Sequence, residues 1–258
     1  MRFIRAFWGD LNHHDGVHIR EITHVAKTSK LNDRVYVWGD ANNDFMISLG
    51  FDTVKVSSDP TVYGSDYLDD CRTFFNHKLK AISLGVREFG EVVFLDWDCH
   101  QVREIDEDFY TLLRFQNKNI QFPMYSFPED YVERVLNEWS NIGEKDKSYL
   151  IKQFEYIKKH NYRLGNDYIV PNFSFVYCSD ASIMSELFEL SYNEYVDLMT
   201  EESAAMYYIK QIRPTLEEFV QKNEPLVCDA KDENHFNQKE YNTFVKKYLN
   251  KQLYFIHE

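Results

Sequence analysis

An α/β fold with a mostly parallel central sheet is predicted for this 258-residue chain by three features of its sequence. Strand-like and helix-like segments alternate through the first half of the chain, which is the pattern of βαβ units. The apolar run Val92-Val-Phe-Leu95 reads as a strand buried in such a sheet. It ends in Asp96-Trp97-Asp98, and the carboxyl ends of parallel strands open into the crevice where these sheets hold their ligands.

The elements follow in order. Phe3 to Trp8 is a first strand; Arg5 breaks its apolar character and Gly9-Asp10 stops it, so it is not the apolar core of a secretory signal. Gly16 to Lys30 reads as a helix with Val17, Ile19, Ile22 and Val25 as its apolar positions. Arg34 to Trp38 is a second strand, Asp44 to Leu49 a short helix, and Asp52 to Val56 a third strand. After turn formers at Ser57 to Pro60 and Tyr63 to Ser65, a long helix from about Leu68 to Val86 delivers the chain into the strand that ends at Asp96. Beyond it, residues 121–128 run extended around two prolines, 130–139 read as a helix and 140–147 as the most linker-like stretch. Tyr168 to Tyr177 reads as one strand, Ala181 to Tyr195 and Glu201 to Ile212 as helices, and Gln252 to Glu258 as a strand-like run containing His257. No repeat, low-complexity tract or shift in composition marks a second domain.

Composition bounds the function. With 44% hydrophobic and 16% aromatic residues the chain has ample material for a core, so disorder is not expected. Its 29 basic against 42 acidic residues give a net charge of −13, with no basic cluster to override it, which argues against nucleic acid as a partner. No apolar run approaches the ~18 residues of a membrane span. Cys71, Cys99, Cys178 and Cys228 form no Cys-x-x-Cys pair, so neither a zinc knuckle nor a disulfide framework is indicated and a reducing cytoplasm is the simplest location.

Asp96 and Asp98 carry the chemistry. On a strand, side chains two residues apart share a face, so the spacing predicts two carboxylates at the mouth of one pocket. Two oxygen ligands that leave positions open suit Mg²⁺ or Mn²⁺, which complete their shells with water and substrate phosphates. An Asp-x-Asp triplet on a loop often does no more than cap a turn. Here it follows a buried strand, where acids need a cation or donors to offset their desolvation.

With these elements in order, the chain resembles glycosyltransferases of the GT-A fold, and among them the family-eight, glycogenin-like group. Lys78-Leu79 on a helix leading to Val93-Phe94-Leu95-Asp96-Trp97-Asp98 is similar to the family's Lys-Leu helix and Asp-x-Asp strand. Asn172 to Tyr177 is similar to the strand lining its donor site, Thr200-Glu201-Glu202-Ser203 to its acidic motif behind the sugar, and Leu253 to His257 to the strand whose histidine is its third metal ligand. The resemblance implies a single GT-A-like domain over 1–258, with a nucleotide-binding part of about 1–100 and an acceptor part of about 101–258. It implies transfer, with retention of configuration, from a nucleotide-sugar donor, a UDP-sugar first among them, to a glycan, lipid or protein acceptor. Phe7, Trp8 and Asp10 stand where the family has a threonine and a tyrosine around the base, and Asn172 lacks the family's small neighbours, so nucleotide identity and pocket shape stay open.

The residues then take expected roles. Asp98 and His257 are candidate direct ligands of Mn²⁺ or Mg²⁺, and the resemblance gives Asp96 both metal and ribose. Phe7, Trp8, Asp10, Asp96 and Trp97 are the candidates against the nucleotide, although aromatic strand residues such as Phe7 and Trp8 are more often core. Lys78 is a candidate for neutralising charge on the departing diphosphate, against the alternative of a solvated lysine on an amphipathic helix. Asn172, an amide in an apolar strand that must find partners, faces the donor. Glu201 and Glu202 open an apparent helix, where the dipole alone stabilises carboxylates, and only the resemblance points them at sugar or acceptor. His13, His14 and His18 read as surface residues of a polar loop, and His235 is a reserve metal ligand. Two rivals remain: a catalytically silent sugar-nucleotide or glycan-binding protein of the same fold, and a phosphohydrolase of the haloacid dehalogenase type. The latter expects its acids on the first strand, where this chain puts them after three others.

Overall fold

The computed structural model describes residues 1–11, 13–60, 71–114, 119–122, 124–127, 167–193, 227–229 and 254–257, together with 130, 133, 148, 151, 154–155, 158–159, 163–164 and 205. Its frame is a six-stranded sheet in the order β3-β2-β1-β4-β10-β6. The strands are β1 (Arg2–Phe7), β2 (Arg34–Trp38), β3 (Asp52–Ser57), β4 (Val92–Leu95), β10 (Phe175–Cys178) and β6 (Ile120–Gln121). β1 to β4 pair in parallel, and β10 runs antiparallel to both β4 and β6. The fold is therefore mixed α/β with a mostly parallel sheet, as the alternation predicts.

Helices α1 (His13–Thr28), α2 (Asp40–Ser48) and α3 (Cys71–Phe89) connect the parallel strands, and α4 (Glu107–Arg114) and α5 (Ala181–Asn193) follow. One face of the sheet packs Ile4, Ala6, Tyr36, Val92 and Phe94 against Leu79, Ile82 and Val86 of α3 and Ile183, Met184 and Leu187 of α5. At Gly85 of α3 a Cβ would fall 2.8 Å from the Ile4 Cδ1 methyl, so the glycine lets the helix lie close over β1. The other face divides in two. Phe7, Val35 and Val37 meet Ile22 and Val25 of α1 and Met46 of α2, while Phe3, Val93, Leu95, Phe175 and Tyr177 meet Phe109 and Leu113 of α4 and Phe255.

The described residues also form two three-stranded sheets: β5 (Cys99–Gln101) with β12 (Phe255–His257) and β11 (Val227–Asp229), and β9 (Asp167–Pro171) between β7 (Met124–Phe127) and β8 (Arg163–Leu164). Several predicted elements are corrected. α1 begins at His13, so His13 and His14 open a helix instead of lying in a polar loop. α2 begins at Asp40, directly after Gly39, whose φ of 98° and close contact with Pro60 only a glycine satisfies. The single strand expected over Tyr168 to Tyr177 is two strands in different sheets, because Pro171 lacks an N–H and the Asn172 Oδ1 accepts from the Ser174 N–H at 2.8 Å to close a turn. The segment 140–147 lies outside the described residues, as do 201–212 apart from Ala205 and most of 130–139. No helix among the described residues is long and apolar enough to cross a membrane.

Candidate functional site

The order β3-β2-β1-β4 has a consequence for ligand binding. The chain steps outward from β1 through β2 and β3, then returns to place β4 on the other side of β1, so the crossovers diverge between β1 and β4. At such a switch point the crevice beyond the carboxyl ends of the strands is free of connecting chain. Trp8, Gly9 and Asp10 follow β1 there, and Asp96, Trp97 and Asp98 follow β4.

The two acids share a tight turn and not, as predicted, a strand face. β4 ends at Leu95, and the Cys99 N–H donates to the Asp96 carbonyl at 3.1 Å as the chain reverses into β5. The Asp96 N–H donates to the Ser174 carbonyl at 2.8 Å, which seats the turn against residues 172–174. Asn172 is buried in that neighbouring turn and is linked to Asp96 through Ser174, which hydrogen-bonds both.

Lys78 comes to this turn from α3. Its side chain is 8% exposed, its Nζ donates to Asp96 Oδ2 at 2.7 Å and lies 5.7 Å from the centre of the Phe94 ring. The solvated-lysine alternative therefore does not hold: the ammonium is buried and paired with the first acid of the motif. Next to it on α3, His77 stacks on Trp8 at 5.4 Å and meets the edge of Trp38 at 4.9 Å, so an imidazole covers the indole at the end of β1. Sequence reasoning missed His77.

Trp97 turns away from the crevice into the core beside Phe7, its indole N–H donating to the Ala6 carbonyl at 2.8 Å. Phe7 is likewise buried, whereas Asp10 is exposed. Trp97 thus pins the turn to β1. The Asp98 side chain is half-buried in the same turn, with Oδ1 shielded from solvent. The acidity of the turn registers at its end: burial pushes the Cys99 thiol well above its ordinary range, Arg5 opposes this, and Asp98 and Asp96 push it further. Cys99 is a neutral core thiol and not a nucleophile.

β12 brings the C-terminal histidine to the same place. His257 pairs with Cys99 across the antiparallel ladder and with Asp229 across the parallel one. Tyr254 anchors the strand: its carbonyl accepts from the Val102 N–H at 2.9 Å and its hydroxyl donates at 2.5 Å to Asp106, the residue capping α4. Burial and that carboxylate push the phenol up to about 12.

A divalent cation can be tested against this donor set. Two carboxylates on one four-residue turn match the hard oxygen ligands that Mn²⁺ and Mg²⁺ accept, and the backbone of His257 runs in register beside the last residue of that turn. Among the described residues, no three His, Cys, Asp or Glu side chains gather closely enough to hold a metal. Any site therefore rests on the acid pair and on the register of β12. Glu201, Glu202 and His235 lie outside the described residues.

No protein-family model matches the chain, and no match is found among curated proteins. Among solved structures it is similar to the apo form of mouse xyloside xylosyltransferase 1, with a TM-score of 0.48 and 10% identity over 100% of this chain and 97% of that one. It is similar also to a glycosyltransferase involved in glycosylation of the major capsid of PBCV-1, with a TM-score of 0.38 and 11% identity over 98% and 92% of the two chains. For the WbbM bifunctional glycosyltransferase, also apo, the TM-score is 0.39 and the identity 12% over 100% of this chain and 45% of that one.

The residue that sequence reasoning most clearly undervalued is Arg5, read as a break in an apolar strand. It is 1% exposed in the middle of β1 and reaches the Asp96–Cys99 turn. A lone arginine inside an otherwise apolar strand, with Asp33 just ahead of the next strand, was the available signal.

Proposed function

We propose that this protein is a glycosyltransferase of the GT-A type that moves a sugar from a nucleotide-diphosphate donor, a UDP-sugar first among the candidates, to a hydroxyl acceptor on a glycan, lipid or protein. The observation that carries this reading is the Asp96-Trp97-Asp98 turn at the topological switch point, with a buried lysine on its first carboxylate. A phosphate-bearing ligand brought in on a cation fits that place better than a neutral or cationic one. The order of the motifs along the sequence adds the sugar.

Asp96, Asp98 and His257 would hold Mn²⁺ or Mg²⁺, with Asp96 also toward the ribose. When bound, the cation supplies Lewis-acid stabilisation of the departing diphosphate. Lys78, paired with Asp96 at 2.7 Å, places an ammonium where negative charge develops as the glycosidic bond to the diphosphate breaks. Trp8, with His77 stacked on it, offers an aromatic wall at the end of β1, next to the exposed carboxylate of Asp10. Trp97 and Phe7 support this floor from the core. Asn172 holds the 172–174 turn against Asp96 and borders the donor. Glu201 and Glu202 act on the sugar or acceptor in this reading, and the configuration is retained. Residues of about 1–100 bind the nucleotide and those of about 101–258 the acceptor, in one domain. Cys99 and Cys178 are buried free thiols, which suits a cytoplasmic protein.

The test is a panel of UDP-, GDP- and other nucleotide sugars, read as Mn²⁺-dependent thermal stabilisation and then as release of free nucleotide. A stabilising donor that releases its nucleotide when an acceptor is supplied is the expected result. Stabilisation without release would make the protein a silent binder. Release of inorganic phosphate from simple esters would make it a phosphohydrolase.

A further inference from the structure

We infer that Arg5 is the positioning residue of the Asp96–Cys99 turn, fixing it for cation binding while Asp33 holds Arg5 in place; this rests on the reading of that turn as a metal site. Arg5 shares a face of β1 with Phe3 and Phe7, where the core on that side of the sheet divides in two. A guanidinium buried in such surroundings is costly unless its donors are matched, so its partners define its role. The Nε donates to Asp33 Oδ2 at 2.7 Å, and both side chains are 1% exposed. Nη1 donates to the Asp96 carbonyl and Nη2 to the Cys99 carbonyl at 3.4 Å. The guanidinium carbon lies 5.3 Å from the centre of the Trp97 ring.

One planar fork therefore holds the first residue of the turn, its last, and the ring between them. It leaves the Asp96 and Asp98 carboxylates out of its own hydrogen bonding: every contact to the turn is through a carbonyl or the indole face. Arg5 thus sets where the two acids stand without neutralising them by contact. A lysine there can keep the ion pair with Asp33, but a single ammonium cannot span both carbonyls and the ring in this geometry. Asp33 is the anchor, and its Oδ1 is buried with no hydrogen-bond partner among the described residues. Its carboxylate would be left as a buried charge if Arg5 were simply removed.

The experiment compares wild type with Arg5→Lys, and with the double variant Arg5→Met, Asp33→Asn, which takes away both buried charges in case the single variant does not fold. Mn²⁺ affinity is measured by calorimetry on the metal alone, and exchange of the Cys99 amide hydrogen is followed in the metal-free protein. The expected result is a folded variant whose Mn²⁺ affinity falls about tenfold or more, the range for residues that orient metal ligands, with faster exchange at Cys99. Wild-type Mn²⁺ affinity in a folded variant would overturn the assignment. So would weakened binding with Cys99 exchange unchanged, which would reduce Arg5 to a source of charge, and so would unfolding of both variants, which would make it a core strut. If wild type itself binds no Mn²⁺, the reading of the turn as a cation site fails first, and this inference with it.

Discussion

Glu91 stands just before β4 and Asp96 just after it, and their surroundings differ. At the first end Glu91 accepts hydrogen bonds from both Arg114 of α4 and the Tyr177 hydroxyl of β10, the latter at 3.1 Å. Burial alone would push the Glu91 carboxyl up, but those two donors hold it below its ordinary value of 4.5. At the other end two carboxylates stand two residues apart, Lys78 reaches the Asp96 carboxylate, and Arg5 binds the Asp96 and Cys99 carbonyls without a hydrogen bond to either carboxylate. The first arrangement ties three elements together. The second concentrates negative charge at the carboxyl edge of the sheet. An acid beside a buried strand is thus assigned by the partners the fold gives it and not by its position in the sequence.

Substitutions at the two ends should separate the two kinds of acid, and the largest effect is expected at Asp98. With Mn²⁺ at a hundred times its dissociation constant, wild type should gain about 2.7 kcal/mol of apparent stability. Asp98→Asn should abolish that gain and turnover together, while the metal-free melting temperature stays nearly unchanged or rises. Unfolding of the metal-free variant would instead make Asp98 structural. Lys78→Met probes the same turn from the cationic side. Removing the ammonium frees Asp96 for metal, so Mn²⁺ alone should bind as well as before or more tightly, while turnover falls about a hundredfold, as when a charge-stabilising donor is lost. Parallel loss of Mn²⁺ binding and turnover would show that Lys78 only builds the turn.

The smallest effect is expected at Glu91. Glu91→Gln should cost at most about 1 kcal/mol, because Arg114 is largely solvent-exposed, and should leave Mn²⁺ binding unchanged. The sign of its pH dependence follows from a carboxyl held below its ordinary value. Its contribution is complete above that value and is lost as pH falls through the lower folded one. In an acid titration of stability the variant should therefore lie below wild type at neutral pH and converge with it below pH 4.5. A gap that widens in acid would contradict the account of this end of β4.

These contrasts also show why the sequence was informative in some places and silent in others. β2 was legible at its observed bounds, Arg34–Trp38, because a short run with β-branched and aromatic residues between Asp33 and Gly39 has few other readings. Val92–Leu95 was legible for the same reason. β5 and β11, three residues each, owe their existence to pairing with β12 and carry no pattern of their own. The eight residues of α4 went unread because its cap, Asp106, shows its role only when Tyr254 folds back onto it from 148 residues away. At the site, Asp96 and Asp98 were legible by composition and spacing. The turn that joins them was not, since it depends on Arg5, Ala6 and Ser174, remote in sequence, holding its backbone. His77 was hidden because a histidine on an amphipathic helix gives no sign that Trp38 of β2 and Trp8 just after β1 will enclose it.

Whether the Asp96–Cys99 turn gathers a cation under a nucleotide is decided by anomalous diffraction from crystals of the wild-type protein grown with Mn²⁺ and a nucleoside diphosphate. A manganese peak is expected at coordination distance, about 2.1 Å, from a carboxylate oxygen of Asp98, with phosphate oxygens of the nucleotide completing its shell at the carboxyl edge of β1 and β4. A nucleotide bound elsewhere, or a manganese peak whose ligands include neither Asp96 nor Asp98, would contradict it.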